Sequence, residues 1–386
     1  MGWKIVAAWF VFVLVGCPAP SQPTIVRPPI RADGTKGQTS PVPSITWKRV
    51  TAPEDVSPIA PPPGTFRIHL IDVGTGLAIL VQGSDFNLLY DAGTNDTEER
   101  PMRVLAYLAA ALGPSGDDLC VPAGDPLPTV RHAIDHVVLS HPHFDHASAL
   151  DLVLHCYDAH DVWDSGRVND AVFYRSFLEA VAHSSAAHYH TAASVPIDHV
   201  VGVKGTEISI PSWERFSEDD VVKLGATAEF TILHAEAKKL PDPNQNSVVI
   251  AVRLGGARLL LVGDSESGPR RDPSAPVGDV EEFLIDHHRE QIRADVLQVG
   301  HHGSQTSSRH DFLAAVHPSL ALVSSGPKLY GPITLPDRAV LAELVHDGAT
   351  VLRTDEHDTS CMLAHRIGPA SGPGGCDSYI ITIAPL

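Results

Sequence analysis

His141, His143, Asp145 and His146 fall within the run Ser140-His-Pro-His-Phe-Asp-His146, directly after the apolar stretch Val137-Val-Leu139. Alternate residues of an extended segment point the same way, so His141 and His143 can present their imidazoles to one ion. Asp145 and His146 follow where the chain should bend into a helix, and they reach toward a second ion nearby. Neutral imidazoles with a carboxylate suit a borderline divalent cation, zinc first, with manganese or iron as alternatives. The pattern points to two divalent metal ions and to hydrolysis by a hydroxide that bridges them. Asp145, close to that water, is a candidate catalytic residue as well as a ligand.

Two later segments end on the same residue types. An apolar strand expected over 258–262 stops at Gly263-Asp264, and another over 295–299 stops at Gly300-His301-His302-Gly303-Ser304. Ligands at successive strand ends collect along one sheet edge, where loops meet and a cleft can form. Asp264 is placed to bridge the two cations, which also makes it a candidate catalytic residue. One of His301 and His302 would complete the second ion's shell, and His301 is favoured because it lies nearer the strand end. The flanking glycines let the backbone turn sharply and come close to the ions.

The elements that must hold these loops are legible as hydrophobic patterns. Strands are expected over 66–71, 78–81, 87–90, 136–139, 228–233, 247–252 and 320–323, besides the two above. Helices are expected over 103–112, 280–293, 310–316 and 337–347. This succession places the chain in the α/β class, with two sheets packed face to face and helices outside. Residues 158–219 are less regular and are read as a substrate-shaping insertion. Within it His188 and His190 have no acidic partner nearby in sequence and are read as structural. His287-His288 reads as a surface pair on a helix. Asp72-Val-Gly-Thr-Gly76 reads as a tight turn, and Ser304 and Thr306 as helix-capping residues or donors to a substrate oxygen.

The start of the chain has a different character. Lys4, the apolar run 5–15 and Leu14-Val-Gly-Cys17 read as a signal peptide over 1–16, with Cys17 in a segment that resembles a bacterial lipobox. An exported lipoprotein is expected, anchored to the membrane by a lipid on Cys17 and facing the periplasm or cell surface. Residues 17–64, rich in Pro, Ser, Thr and Gly, read as a disordered tether, and 65–386 as one catalytic domain. Export also suits disulfides, expected between Cys120 and Cys156 and between Cys361 and Cys376. The formal net charge of -18 argues against stable non-specific binding of nucleic acid. An anionic phosphodiester remains compatible, because two divalent ions give the site a positive field of their own.

Asp72-Val-Gly-Thr-Gly76, Leu89-Tyr-Asp-Ala-Gly93, Ser140–His146, Gly263-Asp264 and Val299-Gly-His-His-Gly-Ser304 together resemble the metallo-β-lactamase superfamily. The wording is closest to the hydrolase domain of the ComEC/Rec2 competence proteins, and Gln305–Ser308, Tyr330-Gly331 and Arg353–Glu356 extend the similarity. The resemblance implies an αββα sandwich with a dinuclear site, usually zinc. One ion would take His141 and His143; the other would take Asp145, His146 and His301 or His302, with Asp264 bridging. Asp91 would support the site from behind the ligands. The histidine that the superfamily commonly supplies before Gly-Asp is replaced by Asn244-Gln-Asn246-Ser247, with His234 a short distance upstream, so Asn246 takes that position and that ion is left a ligand short or completed by water. Tyr330-Gly331 continues as Pro332-Ile-Thr-Leu-Pro336 instead of the histidines and prolines of the competence branch. The activity implied is that of a phosphodiesterase or nuclease-like enzyme. The alternatives are a β-lactamase or lactonase, and a non-catalytic metal-containing surface lipoprotein.

Overall fold

Strands covered on both faces read as nearly continuous apolar runs, and this chain supplies enough of them for two sheets. The computed structural model describes residues 25–26, 43–50, 52–95, 103–121, 124–184, 187–357 and 375–385. A nine-stranded sheet runs in the order Trp213–Arg215, His188–Thr191, Asp158–Asp164, Ala133–Leu139, Asn87–Tyr90, Ile79–Gln82, Phe66–Leu70, Ser378–Ala384, Ser44–Val50. An eight-stranded sheet runs Ile25–Val26, Val221–Lys223, Ala228–His234, Val249–Leu254, Ala257–Leu261, Val296–Gln298, Leu320–Val323, Thr350–Arg353.

Side-chain alternation sorts each strand between two cores. Ile79 and Val81 face Leu259 and Leu261 of the other sheet in the central core, with Ile68, Tyr90, Trp163, Phe230 and Ile250. Leu80 and Leu89 point the opposite way, under helices Arg103–Leu112, Leu150–Cys156 and Val172–His183. On the far side Leu260, Leu297 and Val323 meet helices Asp279–His288, His310–Val316 and Arg338–His346. The αββα sandwich is therefore the observed architecture.

Parallel pairing is what positions the functional loops. Asn87–Tyr90 pairs in parallel with Ala133–Leu139, which pairs likewise with Asp158–Asp164. Ala257–Leu261, Val296–Gln298 and Leu320–Val323 form a second parallel set. All these strands end on one edge of the sandwich, and Asp91, Ser140-His141, Gly263-Asp264, Gly300–His302 and Ser324 follow their C-terminal ends.

Three expectations change. Ser44–Val50, assigned to the tether, is an edge strand that pairs with Ser378–Ala384 in the register Ile45↔Ile383 and Trp47↔Ile381. Its outward face is solvated and the backbone ladder holds it, so composition gave little sign of it; the folded unit begins before residue 65. The supposed insertion at 158–219 is part of the sandwich: Asp158–Asp164, His188–Thr191 and Trp213–Arg215 extend the nine-stranded sheet, helix Val172–His183 packs on it, and Val200–Val203/Thr206–Ser209 form a two-stranded hairpin. Polar strand residues concealed this, because their partners are tertiary: His190 Nε2 lies 2.7 Å from Asp161, and Asp164 accepts from the hydroxyls of Tyr174 and Tyr189. His288 is buried, not on the surface, with Nδ1 3.1 Å from Gln291.

The Cys120–Cys156 disulfide is present. Cys376 is also disulfide-bonded, while its expected partner Cys361 lies outside the described residues, as do Cys17, the signal peptide and most of the tether.

Candidate metal centre

Ser140 ends the strand Ala133–Leu139 and passes the chain into His141–His146, whose last residues open the short helix Phe144–Ala147. Two glycines make this course possible. A Cβ on Gly76 would collide with the Gly93 and Asp145 carbonyls, and one on Gly93 would collide with the backbone joining Asp145 to His146. Leu77 N donates to Asp145 O at 3.0 Å and Ala92 N to His146 O at 2.9 Å, so both glycine turns are laced to the metal-binding loop. Asp72 serves the first of these turns, accepting from Gly74 N, Cys376 N and Asp377 N. Its role is structural, as the sequence suggested.

Hydrogen bonds behind the loop fix which imidazole nitrogen faces forward. His146 Nδ1 donates to Asp91 Oδ2 at 2.8 Å, and His302 Nδ1 donates to the Ser324 carbonyl at 2.8 Å. Both rings therefore turn Nε2 forward, the orientation that metal-binding histidines need. Ser140 Oγ donates to Asp91 Oδ2 at 2.7 Å and lies 3.0 Å from His141 Nδ1, which orients a third ring the same way. His141 Nε2 faces His143 Nδ1 at 2.9 Å.

The forward-facing atoms converge. Asp264 Oδ2 lies 3.2 Å from His146 Nε2 and 3.5 Å from His302 Nε2, which in turn is 3.7 Å from Asp145 Oδ2. His141, His146 and Asp264 form one group with ligand spacing, and Asp145, His146 and His302 a second. His146 Nε2, His302 Nε2 and Asp264 Oδ1 are buried without a hydrogen-bond partner among the described residues. Buried polar atoms left unmade carry a cost on the order of 1–3 kcal/mol each. Their gathering on residues of the two ligand-spaced groups fits bound divalent metal, with borderline ions suited to the nitrogen-rich set.

Asp264 and Asp91 raise His146 well above the ordinary imidazole value against its burial, so its Nε2 would give up a proton to a bound cation. Burial alone would raise Asp264, but His146, His302 and His301 hold its carboxyl well below the usual range, so it is ionised. Asp145 is likewise held low against burial by His302 and His146. Burial, with His146 and His143 beside it, pushes His141 well below the ordinary imidazole value and keeps it neutral, the form that ligates.

Of the doublet, His302 and not the favoured His301 enters the cluster. Both residues adopt left-handed backbone, φ 47° and 54°, and the turn aims His302 at Asp264 and Asp145. His301 is held aside: its Nδ1 lies 2.6 Å from Glu266 and 2.8 Å from Thr306 Oγ1, and its Nε2 is 3.9 Å from Asp264. Proximity to the strand end was a poor guide, because two consecutive left-handed residues reverse the order of approach.

Asn246 is buried and donates from Nδ2 to the Lys238 carbonyl at 2.8 Å and to that of Glu236, so it pins the 236–238 loop. His234 donates to the Ser247 carbonyl at 2.9 Å and lies outside both ligand groups. His188 bonds Ser212 and His190 stacks on Trp163, so neither joins the centre. Ser304 Oγ accepts from Arg270, and Thr306 braces His301. Sequence reasoning missed Asn95, whose Nδ2 donates to Asp145 Oδ2 at 2.6 Å, and gave no role to Tyr330, whose hydroxyl donates to the same oxygen at 3.2 Å. Only the Tyr330-Gly331 motif offered a signal.

The profile of the Metallo-beta-lactamase superfamily matches residues 131–326, just over half of the chain. Competence protein ComA of Neisseria gonorrhoeae is 27% identical over 301 residues, which cover 77% of this chain and 32% of that protein. Recombination protein 2 of Haemophilus influenzae is 24% identical over 282 residues, 72% of this chain and 26% of that one. The chain thus spans about a third or less of the length of these relatives. Among solved structures, the metallo-beta-lactamase fold protein YhfI from Bacillus subtilis aligns over 75% of this chain and 97% of its own, with 12% identity and a TM-score of 0.41.

Proposed function

The chain belongs to the metallo-β-lactamase superfamily, and from that premise we propose that it is a phosphodiesterase of the cell envelope with a dinuclear centre, most simply of zinc. The observation that carries this reading is the position of Asp264, whose Oδ2 stands between His146 and His302 while its Oδ1 and the Nε2 atoms of both rings are buried with no hydrogen-bond partner among the described residues. Two divalent cations bound there supply Lewis acidity to a phosphoryl oxygen and acidify water. His141 and His143 would hold one ion; Asp145, His146 and His302 the other; Asp264 both.

The protein's own work is to keep these groups fixed and correctly protonated. Asp91 and the Ser324 carbonyl hold His146 and His302 in the ligating orientation. Asn95 and Tyr330 fix one oxygen of Asp145, leaving the carboxylate oriented toward the centre to steer a proton. Glu266 and Thr306 hold His301 beside the cluster. Envelope location rests on the residues around Cys17, and the Cys120–Cys156 disulfide accords with an oxidising compartment. The similarity to competence proteins supports a phosphodiester over a lactam.

The test is turnover of bis-p-nitrophenyl phosphate by the purified mature protein. Activity should vanish on chelation and return with added zinc. Full turnover after verified metal removal would overturn the proposal.

A further inference from the structure

Beside the metal centre, on the far side of His301, lies a cavity of about 640 Å³, within the range of small-molecule sites. Glu266 and Thr306, which hold His301, form its near wall, and Glu236, Asp242 and Asp279 add three more carboxylates. Among the described residues, no lysine or arginine lines it. The rest of the wall includes Leu240, Val280 and the ring of Phe283.

The uncharged polar groups point to the same ligand. His234 is nine-tenths buried and donates Nδ1–H to the Ser247 carbonyl, so the nitrogen it keeps free at the cavity is Nε2, a lone pair. Gln245 donates its amide to Asp279 at 3.1 Å and to Glu266 at 3.5 Å, which leaves Oε1 buried with no partner among the described residues. The wall thus offers acceptors and negative charge over an apolar, aromatic surface. Such a wall attracts an organic cation, whose charge the carboxylates balance and whose carbon body covers the ring. A bare polyanion would be repelled by it.

We propose that this cavity binds a cationic, apolar-bodied group such as a quaternary ammonium. Resting on the phosphodiesterase reading, the inference extends to the substrate: a zwitterionic phosphodiester whose phosphate meets the metal centre and whose ammonium group enters the cavity.

The test has two arms on the zinc-loaded full chain. In the first, benzyltrimethylammonium is titrated calorimetrically at low salt, with phenylacetate as the anionic control. Saturable binding of the cation alone is expected, weakened at least tenfold both in the double variant Glu236→Gln/Asp279→Asn and in Phe283→Ala, each checked for native circular dichroism. Equal binding of cation and anion, or unchanged affinity in both variants, would overturn the proposal. In the second arm, kcat/KM for p-nitrophenyl phosphorylcholine should fall at least tenfold in the double variant while that for bis-p-nitrophenyl phosphate stays the same. A parallel fall, or no fall, in the two esters would refute the substrate extension. If neither ester is cleaved but the cation binds, the cavity assignment stands and the phosphodiesterase reading fails.

Discussion

His146 Nδ1 donates to Asp91 Oδ2 at 2.8 Å, and the same carboxylate accepts the backbone N–H and the hydroxyl of Ser140 at 2.7 Å each. One aspartate, fully buried, thus sets both the ring orientation of a candidate metal ligand and the start of the loop that carries it. Replacing Asp91 by Ala should weaken zinc binding by about 10- to 100-fold, as loss of such supporting partners does. Competition against a fluorescent chelator would measure it. Unchanged affinity in a folded variant would show that His146 needs no such support.

Tyr330 offers a gentler probe of the opposite ligand. Tyr330→Phe removes a 3.2 Å hydrogen bond to Asp145 but leaves the shorter one from Asn95. Turnover should fall several-fold with folding intact, and Asn95→Ala should cost more. A larger loss for Tyr330→Phe would mean that the hydroxyl acts on substrate and not only on Asp145.

Gly93→Ala tests the packing that the sequence motif encodes. The new methyl group meets the peptide joining Asp145 and His146, and neither backbone has room to yield. Overpacking of this kind costs about 1–3 kcal/mol. Urea denaturation should show that loss, and zinc affinity should drop with it because the ligands must shift.

These contacts also show which parts of the molecule the sequence could reveal. Asn87–Tyr90, Arg103–Leu112, His310–Val316 and Leu320–Val323 have the bounds expected from hydrophobic period alone, since each buries a regular face. His141, His143, Asp145 and His146 were legible because they are neighbours in the chain. Asn95 and Tyr330 were not, because they reach Asp145 across 50 and 185 residues. The choice between His301 and His302 depended on two left-handed residues in succession, a conformation neither side chain announces. The strand Asp158–Asp164 was hidden by its own charges, whose partners are set only by tertiary packing.

Buried His69 makes stability depend on pH. Its ring lies between Tyr107 and Gln82, and burial pushes its pKa down from 6.5 to about 3. The unfolded chain takes up a proton below pH 6.5 while the folded one does not, so this contribution to stability is complete above 6.5 and is lost as pH falls toward 3. Between pH 7 and 4.5 the loss should be about 2–3 kcal/mol from this residue. His69→Gln should give a shallower fall in unfolding free energy over that interval; an identical slope would place the proton uptake elsewhere.

Reduction of the Cys120–Cys156 bridge, which closes a sequence separation of 36, should lower stability by about 3–4 kcal/mol. The Cys120→Ser/Cys156→Ser variant, unfolded in urea beside the oxidised protein, gives that difference directly. Its zinc affinity should be unchanged, since neither cysteine belongs to the metal centre.

The most direct measurement is anomalous X-ray scattering at the zinc edge from zinc-loaded crystals. Two peaks a few ångströms apart are expected, one beside His141 and His143 and the other beside Asp145, His146 and His302, with Asp264 touching both. A single peak, no peak, or zinc only at a surface group such as His310, Glu343 and Asp347 would contradict this.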